Sequence, residues 1–339
     1  MNTRPGYFVI SLDFELHWGV RDTLSIDSYR DNILGGRQAI PKILKMFQQH
    51  GIHSTWAVVG LLFFHNKGDL CSKLPKSLPA YLDKRLSPYS YLQHIGDNEQ
   101  SDPMHYAPSL IKQIASYEGQ EIASHTFSHY YCLAPGQSTD TFRADLAAAR
   151  DAAQALGFEV KSLVFPRNQC NHDYLAVCRE QGFIAYRGNA AAWMYRATDD
   201  ARQTLPLRLA RFTDAYLNLS GICASNVDCW PGDIPVNLPA SRFLRPVSRR
   251  LSLFEPLRLR RIKAEMSHAA RQGLLYHLWW HPHNFGVNTE QNLSFLDKIL
   301  DHYHRLQERD GMRSMNMGEL AEQVIADRQR GTVPTQAVA

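Results

Sequence analysis

Short apolar runs alternate with longer segments of helical periodicity along most of the 339-residue chain. Apolar runs bounded by turn residues are typical of buried strands, and apolar positions that recur every three to four residues are typical of helices. The predicted strands are residues 7–12, 53–60, 119–125, 160–166, 183–188 and 274–280. The predicted helices are residues 29–50, 108–117, 138–156, 172–182, 290–307 and 317–328. This alternation predicts a parallel sheet or barrel with the helices outside it.

Two segments interrupt the alternation. Residues 66–107 are polar, rich in Pro, Tyr and Ser and without a clear period, so we interpret them as an insertion that carries short elements. A second interruption lies near residues 235–265. Because α/β barrels often exceed about 250 residues as one unit, the length does not require two domains. We expect one domain over residues 1–330 and a disordered tail at 331–339.

Composition and charge exclude several classes of protein. The net charge of +4 is too small to predict nucleic acid as the main partner. No apolar run approaches the roughly 20 residues of a membrane span, and the run before Asp13 is too short for a signal peptide core. The six cysteines form no CxxC pair, so we expect them to be mostly reduced. These features favour a cytoplasmic protein.

Reactive side chains follow four of the predicted strands. These residues are Asp13, Glu15, His125, His129, Arg167, Asn168, His281 and His283. The carboxyl ends of parallel strands meet at one rim of a sheet or barrel, and the chemistry of such folds is located there. We therefore expect these side chains to form one site.

The motif "SLDFEL" places two carboxylates at the end of the first strand. Asp13 and Glu15 are two residues apart, so on a strand they point to the same side, roughly 6–7 Å apart. The preceding apolar run and the apolar Leu16 and Trp18 indicate partial burial, and a buried carboxylate needs a cation or hydrogen bonds. The alternative is a strand end that frays into solvent.

The motif "SHTFSHYY" places His125 and His129 four residues apart. On one helical turn both imidazoles would face the same way and bind one ion. The alternative is a chance pair of surface or core histidines. Two histidines and a carboxylate are a common ligand set for Zn²⁺, Fe²⁺, Co²⁺ or Mn²⁺. One carboxylate of the "DFE" pair would then complete the set, and the other would be free as a general base.

Three further features have both a functional and a structural interpretation. Arg167 either forms a surface salt bridge or holds a catalytic carboxylate ionised. His281 directly follows the last strand, where an imidazole can protonate a leaving group near neutral pH. Residues 242–263 carry eight Arg or Lys and one Glu, which fits contact with an anionic membrane surface. A solvated basic segment is the favoured interpretation of that stretch.

The order of these motifs resembles the polysaccharide deacetylase family, also called carbohydrate esterase family four or the NodB-homology fold. The resemblance rests on "SLDFE", "SHTFSH", "FPRN" and "LWWHPHNF" and covers roughly residues 5–327. It implies an α/β fold, a distorted and incomplete (β/α) barrel in one catalytic domain, with insertions near 66–107 and 235–265. It also implies one divalent metal ion, with Zn²⁺ as the default and Fe, Co, Mn or Ni as alternatives.

The resemblance also implies roles for individual residues. Asp13 is the general base, Arg167 orients it and His281 is the general acid. Glu15, His125 and His129 are the metal ligands. Asn168, Arg242 and His283 are candidates for contacts with the substrate. The chain departs from the family pattern because Phe14 separates the two acids, the second acid is Glu, and no Tyr follows "FPRN".

The implied reaction is hydrolysis of an N-acyl group, acetyl by default, from a sugar. The variant motifs resemble a subgroup associated with bacterial surface-polysaccharide biosynthesis, so we expect a lipid- or nucleotide-linked precursor as an alternative to the polymer. The expected location is the cytoplasm, with peripheral contact at the inner membrane face through residues 242–263. A deformylase or imide hydrolase on the same metal site and a non-catalytic sugar-binding barrel remain alternatives.

Overall fold

The computed structural model describes residues 4–198, 204–227 and 235–330. Within them, nine strands form one sheet. The strands are β1 (Tyr7–Phe14), β2 (Ser54–Val58), β3 (Gln120–Ser124), β4 (Ser162–Val164), β5 (Ala185–Arg187), β6 (Val236–Asn237), β7 (Arg242–Phe243), β8 (Leu275–Trp280) and β9 (Arg313–Ser314). Their order is β6-β5-β4-β3-β2-β1-β8-β7, with β9 also paired to β1, and each of these pairings is parallel. The eight strands of the main path curl into an open half-barrel, which confirms the predicted fold class.

Nine α-helices accompany the strands in the described ranges. They are α1 (Ile26–His50), α2 (Lys67–Ser72), α3 (Pro108–Ala115), α4 (Thr139–Ala155), α5 (Leu175–Glu180), α6 (Leu205–Asp214), α7 (Glu255–Gln272), α8 (Thr289–Asp310) and α9 (Met317–Gln329). Each strand and helix predicted from periodicity is present, with boundaries that move by only a few residues. The predicted helix at 172–182 begins as a 3₁₀ turn, His172–Tyr174, and continues as α5.

Strand β1 lies inside the sheet path, with five strands on one side and two on the other. Its eight residues are all buried, as expected for a strand covered on both faces. It pairs with β2 on one side and β8 on the other, with Asp13 beside Ala57 and Leu12 beside Trp280. The first carboxylate of "SLDFEL", at the carboxyl end of β1, is therefore flanked by the ends of both neighbouring strands.

The second interruption of the pattern is part of the sheet rather than an insertion outside it. Residues 235–265 supply β6 and β7, which end the sheet path on its two sides, and the first half of α7. β7 pairs with β8 through Arg242 and Leu278, and α7 buries Ile262, Met266 and Ala269. The strands are only two residues long, so their pattern is too short to predict.

The insertion at 66–107 is anchored to the end of β1. Trp18 Nε1 donates to the His105 carbonyl at 2.9 Å, and His17 Nδ1 lies 3.1 Å from His105 Nε2. Burial, followed by the neighbouring His105, lowers the pKa of His17 to about 4, so the imidazole is neutral at pH 7. These contacts fix the turn that follows Glu15 and place the insertion along one side of the rim.

The remaining sequence expectations concern cysteines, membrane spans and the tail. The described cysteines, Cys71, Cys132, Cys170, Cys178 and Cys223, are all free thiols, and Cys229 lies outside the described residues. Among the helices of the described ranges, none has the length and apolar character that crossing a membrane requires. The predicted tail at 331–339 also lies outside the described residues.

Candidate active site

A carboxylate and two imidazoles meet beyond the carboxyl ends of β1 and β3. Glu15 Oε2 lies 3.3 Å from His125 Nε2 and 3.2 Å from His129 Nε2, and all three side chains are buried. One ligand atom from each residue lies within 4.8 Å of the other two. The structure thus brings the predicted ligand set together as a candidate metal site.

The hydrogen bonding of His125 tests whether this set fits a metal ion. Its Nδ1 lies 2.9 Å from the Val164 carbonyl, which can only accept, so the proton of a neutral ring is on Nδ1. The Nε2 lone pair then faces the Glu15 carboxylate, which is also an acceptor, and this buried nitrogen has no hydrogen-bond partner. Two acceptors without a proton between them repel each other, and a divalent cation removes the conflict. Two imidazoles and a carboxylate suit Zn²⁺ and similar metals.

The two histidines lie on a loop, so the expectation of one helical turn is wrong. Thr126 and His129 have left-handed backbones, with φ of 62° and 56°. The Asp145 carboxylate from α4 accepts the N–H of Phe127 at 2.7 Å, and it also accepts from the next residue of the loop. The ring centroids of His125 and His129 are nevertheless 5.2 Å apart. The imidazoles converge because a buried carboxylate from another element holds the loop.

Glycine is required at position 19 to make room for the Glu15 carboxylate. A Cβ atom on Gly19 would lie 1.9 Å from Glu15 Cδ, so the main chain passes directly over the carboxylate. Burial alone would raise the pKa of Glu15, but His281, His125 and His129 outweigh it and lower that pKa well below its ordinary value. The side chain is therefore an ionised ligand in a tightly closed position.

Asp13 forms a bidentate ion pair with an arginine on β5. Arg187 donates to Asp13 Oδ1 at 2.6 Å and to Oδ2 at 2.8 Å. The same guanidinium donates to Ser11 Oγ and Asn168 Oδ1, each at 2.9 Å, and its Cζ lies 4.2 Å from the centroid of the Trp279 ring. Burial raises the pKa of Asp13, but Arg187 more than compensates, and the pKa is lower than usual. Asp13 is thus ionised and fixed in orientation.

The prediction that Arg167 orients Asp13 is wrong. Arg167 instead donates to Asp22 Oδ1 at 2.8 Å and to the Gly19 carbonyl at 3.1 Å. It belongs to a strained turn, since its φ is 55°. Arg187 takes the predicted role, and the sequence feature that indicates it is an arginine at the end of the predicted strand "FIAYRG".

His277 on β8 contacts the Asp13–Arg187 ion pair through Ser11. His277 is buried, with Nε2 2.8 Å from Ser11 Oγ and Nδ1 3.0 Å from the Leu238 carbonyl. Burial, followed by the charge of Arg187, lowers the pKa of His277 to about 3, so the ring is neutral. The serine hydroxyl that accepts from Arg187 is therefore fixed in turn by an uncharged imidazole.

His281 faces both carboxylates, whereas His283 lies behind it. His281 Nε2 lies 3.7 Å from Asp13 Oδ2 and 3.6 Å from Glu15 Oε1, its Nδ1 lies 3.2 Å from Asn284 Oδ1, and 23% of its side chain is exposed. His283 is buried, and its ring stacks on that of His281 with centroids 5.0 Å apart. Burial lowers the pKa of His283 to about 3. His283 does not line the cleft described below, and its contact with substrate stays a prediction.

A cleft of about 610 Å³ opens beside Asp13 and His281. The insertion supplies one wall through Leu82 and Leu86, and Asn168 lies on the wall, where it can contact a substrate. Arg242 does not line this cleft. It donates to Glu265 at 2.6 and 2.9 Å and lies 3.2 Å from Asp214, all of them buried. Of the three residues predicted to contact substrate, the structure brings only Asn168 to the cleft.

Comparison with known proteins finds a family model that is similar to part of the chain. Residues 24–186, just under half of the chain, match the family model of polysaccharide deacetylase. The matched range contains His125, His129 and Asn168, whereas Asp13 and His281 lie outside it. A comparison with curated protein sequences gives no match.

Solved structures share the fold of this chain. A candidate polysaccharide deacetylase from Mycobacterium smegmatis has a TM-score of 0.60 at 15% identity, over 100% of this chain and 96% of that chain. PuuE allantoinase has a TM-score of 0.54 at 12% identity, over 94% and 89%. A polysaccharide deacetylase described as probable, from Pseudomonas aeruginosa PAO1, has a TM-score of 0.53 at 11% identity, over 95% and 90%. At these identities the likeness concerns the fold alone.

Proposed function

We propose that this protein is a metal-dependent hydrolase that removes an N-acyl group, acetyl by default, from a sugar. The substrate is a bacterial surface polysaccharide or its lipid- or nucleotide-linked precursor. The observation that supports this proposal is the relation between the two carboxylates of "SLDFEL". Glu15 joins two imidazoles in a buried ligand set, while Asp13 is ionised by Arg187 beside an open cleft.

Glu15, His125 and His129 would hold the divalent ion, with Zn²⁺ as the default and Fe, Co, Mn or Ni as alternatives. Such an ion polarises an acyl carbonyl and makes water a stronger nucleophile near neutral pH. Asp13 accepts a proton from the attacking water. It can do so because the two hydrogen bonds from Arg187 keep its carboxylate ionised and fix its orientation. Arg187 therefore acts as a positioning residue for the general base.

His281 is placed to complete the reaction. Its Nδ1 is hydrogen-bonded to the side-chain oxygen of Asn284. This contact directs Nε2 towards the carboxylates of Asp13 and Glu15, beside the cleft. The water oxygen adds to the acyl carbon, the C–N bond breaks, and protonated His281 gives its Nε2 proton to the leaving nitrogen. The products are a short-chain carboxylic acid and a free amino sugar. Asp13 then releases its proton to solvent and His281 takes one up from solvent, which restores both groups.

The membrane contact that we propose involves fewer residues than the whole basic segment 242–263. Arg242, Arg258 and Arg261 are buried and paired with acids, so they do not face a membrane. Leu253 is 88% exposed and Phe254 50% exposed, and they follow exposed arginines at 249 and 250. We propose that this exposed stretch contacts anionic lipid at the inner face of the membrane. Unchanged sedimentation of Leu253→Ser/Phe254→Ser with phosphatidylglycerol vesicles would contradict it.

Elemental mass spectrometry of the wild type and of His125→Ala tests the proposed function. We expect about one ion per chain, lost in the variant, and release of acid from an N-acyl sugar by the wild type. Released formate would favour the deformylase alternative, and bound metal without turnover of any sugar or imide would favour the non-catalytic barrel. Absence of metal after loading would overturn the proposal.

A further inference from the structure

A second cavity of about 190 Å³ lies beside the catalytic cleft. Five of its lining residues are arginines, and none of its described lining residues is acidic. The arginines are Arg167, Arg196, Arg211, Arg242 and Arg245. A concave site lined by charges of one sign concentrates ions of the opposite sign. The cavity is therefore suited to an anion.

The cavity and the cleft adjoin each other. Arg167, Asn168 and Trp279 line both of them. Trp279 and Asn168 are the same residues that contact Arg187, the partner of Asp13. A ligand that occupies both spaces would have one end beside the general base and the other among the arginines.

Two of the five arginines have acidic partners that do not line the cavity. Arg242 pairs with Glu265 and Asp214, and Arg167 pairs with Asp22. These pairs neutralise the two guanidiniums at least in part. Arg245 takes part in neither of these pairs, so its charge is considered next.

Arg245 is the arginine whose surroundings most clearly lack an anion. Its guanidinium Cζ lies 5.4 Å from the centroid of the Phe212 ring and 5.8 Å from that of Phe243, and it forms no ion pair with any of the described residues. Burial lowers the pKa of Arg245. A partly buried cation without a counter-charge is unfavourable, and a bound anion would remove that cost.

The size and donors of the cavity indicate the class of anion. A volume of about 190 Å³ is many times the roughly 10–15 Å³ that one water molecule needs by the same measure, so a phosphate or diphosphate group fits. Planar guanidiniums bind phosphate oxygens through paired hydrogen bonds, and Ser241, Thr198 and Asn189 add neutral polar groups to the lining.

We propose that this arginine-lined cavity binds a phosphate-class group of the substrate while the acylated sugar occupies the cleft. The catalytic consequence rests on the proposed function, but anion binding does not. The group belongs either to a nucleotide-linked sugar or to a lipid-linked one, since both place phosphate directly on the sugar.

Calorimetric titration with inorganic pyrophosphate tests the cavity apart from catalysis. All proteins carry His125→Ala, so that a bound metal ion cannot hold the pyrophosphate. We expect Arg245→Gln to weaken binding by at least about tenfold, Arg245→Lys to weaken it less, and Arg260→Gln to leave it unchanged. Arg260 is an exposed arginine of α7 outside the cavity lining and is the matched control. Equal dissociation constants in all four proteins, or no binding at millimolar pyrophosphate, would overturn the proposal.

Kinetics then separate the failure of this proposal from the failure of the proposed function. With intact metal ligands, kcat/KM for an N-acetyl amino sugar 1-phosphate should exceed that for the uncharged sugar, and Arg245→Gln should lower the ratio by about tenfold or more. Turnover of both substrates with a ratio near one would overturn the cavity proposal and leave the deacylase proposal standing. Loss of pyrophosphate binding in Arg245→Gln without any turnover would support the cavity and count against the deacylase.

Two probes identify the source of the phosphate. Uridine diphosphate is titrated in the same His125→Ala proteins, and vesicles of phosphatidylcholine with a polyprenyl phosphate are used in sedimentation. Binding that depends on Arg245 supports the proposal in either case, with a nucleotide-linked source for the first probe and a lipid-linked source for the second. Binding of both probes that ignores Arg245→Gln would overturn it.

Discussion

Arg187 on β5 binds both carboxylate oxygens of Asp13 on β1, at 2.6 and 2.8 Å. Strand β5 is four positions from β1 in the sheet order, so the two residues would be far apart on a flat sheet. They meet because the sheet curls into a half-barrel and its inner side chains cross the interior. The ion pair thus links the two sides of the fold at the position of the general base.

Replacement of Arg187 should impair the base without emptying the metal site. We expect Arg187→Gln to reduce kcat/KM by about 100-fold or more, because Asp13 loses its orientation and its charge partner. Breaking a buried pair costs about 3–5 kcal/mol of unfolding free energy, so Arg187→Lys, which retains the charge, is measured beside it. Metal content should stay near that of the wild type. A larger loss of kcat/KM in Arg167→Gln than in Arg187→Gln would instead support the sequence prediction that Arg167 orients Asp13.

The pH profile gives a second readout of the same pair. Arg187 lowers the pKa of Asp13, so its removal should raise that pKa and move the acidic limb of kcat/KM to higher pH. The stability that folding gains from ionised Asp13 is present above its unfolded pKa and is lost as pH falls through the folded value. An acidic limb at the same pH in wild type and Arg187→Gln would show that another group is the base, whereas Arg187→Lys, which retains the charge, should move the limb less.

Gly19→Ala should remove the metal while the fold remains. The added Cβ would lie 1.9 Å from Glu15 Cδ, and the carboxylate is the end of a flexible side chain that moves more easily than the backbone. We expect metal content well below half an ion per chain and a correspondingly low activity. Gly68→Ala, on the exposed α2, is the control and should keep its metal. Full metal content in Gly19→Ala would exclude Glu15 as a ligand in this position.

We expect Asp145 to affect metal binding only by holding the loop that carries His125 and His129. It is buried on α4 and accepts hydrogen bonds from Phe127 and Ser128, between the two histidines, without touching either imidazole. Asp145→Ala leaves buried donors unpaired, at about 1–3 kcal/mol each, and should weaken metal binding and lower the free energy of unfolding. Urea unfolding and metal titration measure the two effects. A variant with lower stability but unchanged metal affinity would show that the loop does not need this carboxylate.

Sequence analysis correctly placed in the candidate site those residues whose position depends on the local sequence pattern alone. Asp13, His125 and His281 follow strands whose apolar runs are clear, and parallel strands bring those ends to one rim. Arg187 follows an equally clear strand, yet its partner depends on how far the sheet curls, which no local pattern records. Likewise, the spacing of His125 and His129 suits a helical turn as well as a loop, and the choice depends on Asp145 in a separate helix.

The basic segment 242–263 shows that a local count of charged residues also cannot predict which of them are buried. A count of eight cations and one acid suggests a solvated surface, because the acids that pair with buried Arg242 and Arg261 lie outside the segment. Asp214 comes from α6 and Glu265 from the second half of α7. The ion-pair network could therefore not be predicted from the segment, because its partners meet only in the folded chain.

That network predicts a structural role for Arg242 that can be measured. Arg242 and Arg261 share Glu265 and Asp214, and the four side chains are buried. The network and Tyr195 hold the pKa of Asp214 at about 2 although burial raises it. Removing one partner leaves a buried charge unpaired, so Arg242→Ala and Glu265→Ala should each lower the free energy of unfolding by about 3–5 kcal/mol.

The double variant distinguishes this role from a simple substrate contact. If Arg242 and Glu265 act as a pair, the double variant should be less destabilised than the sum of the two single variants, because it leaves fewer unpaired charges. Chemical denaturation of the metal-free proteins gives the three values. A substrate contact alone would instead raise KM in Arg242→Ala with no change in unfolding free energy, and that result would return Arg242 to the predicted substrate-binding set.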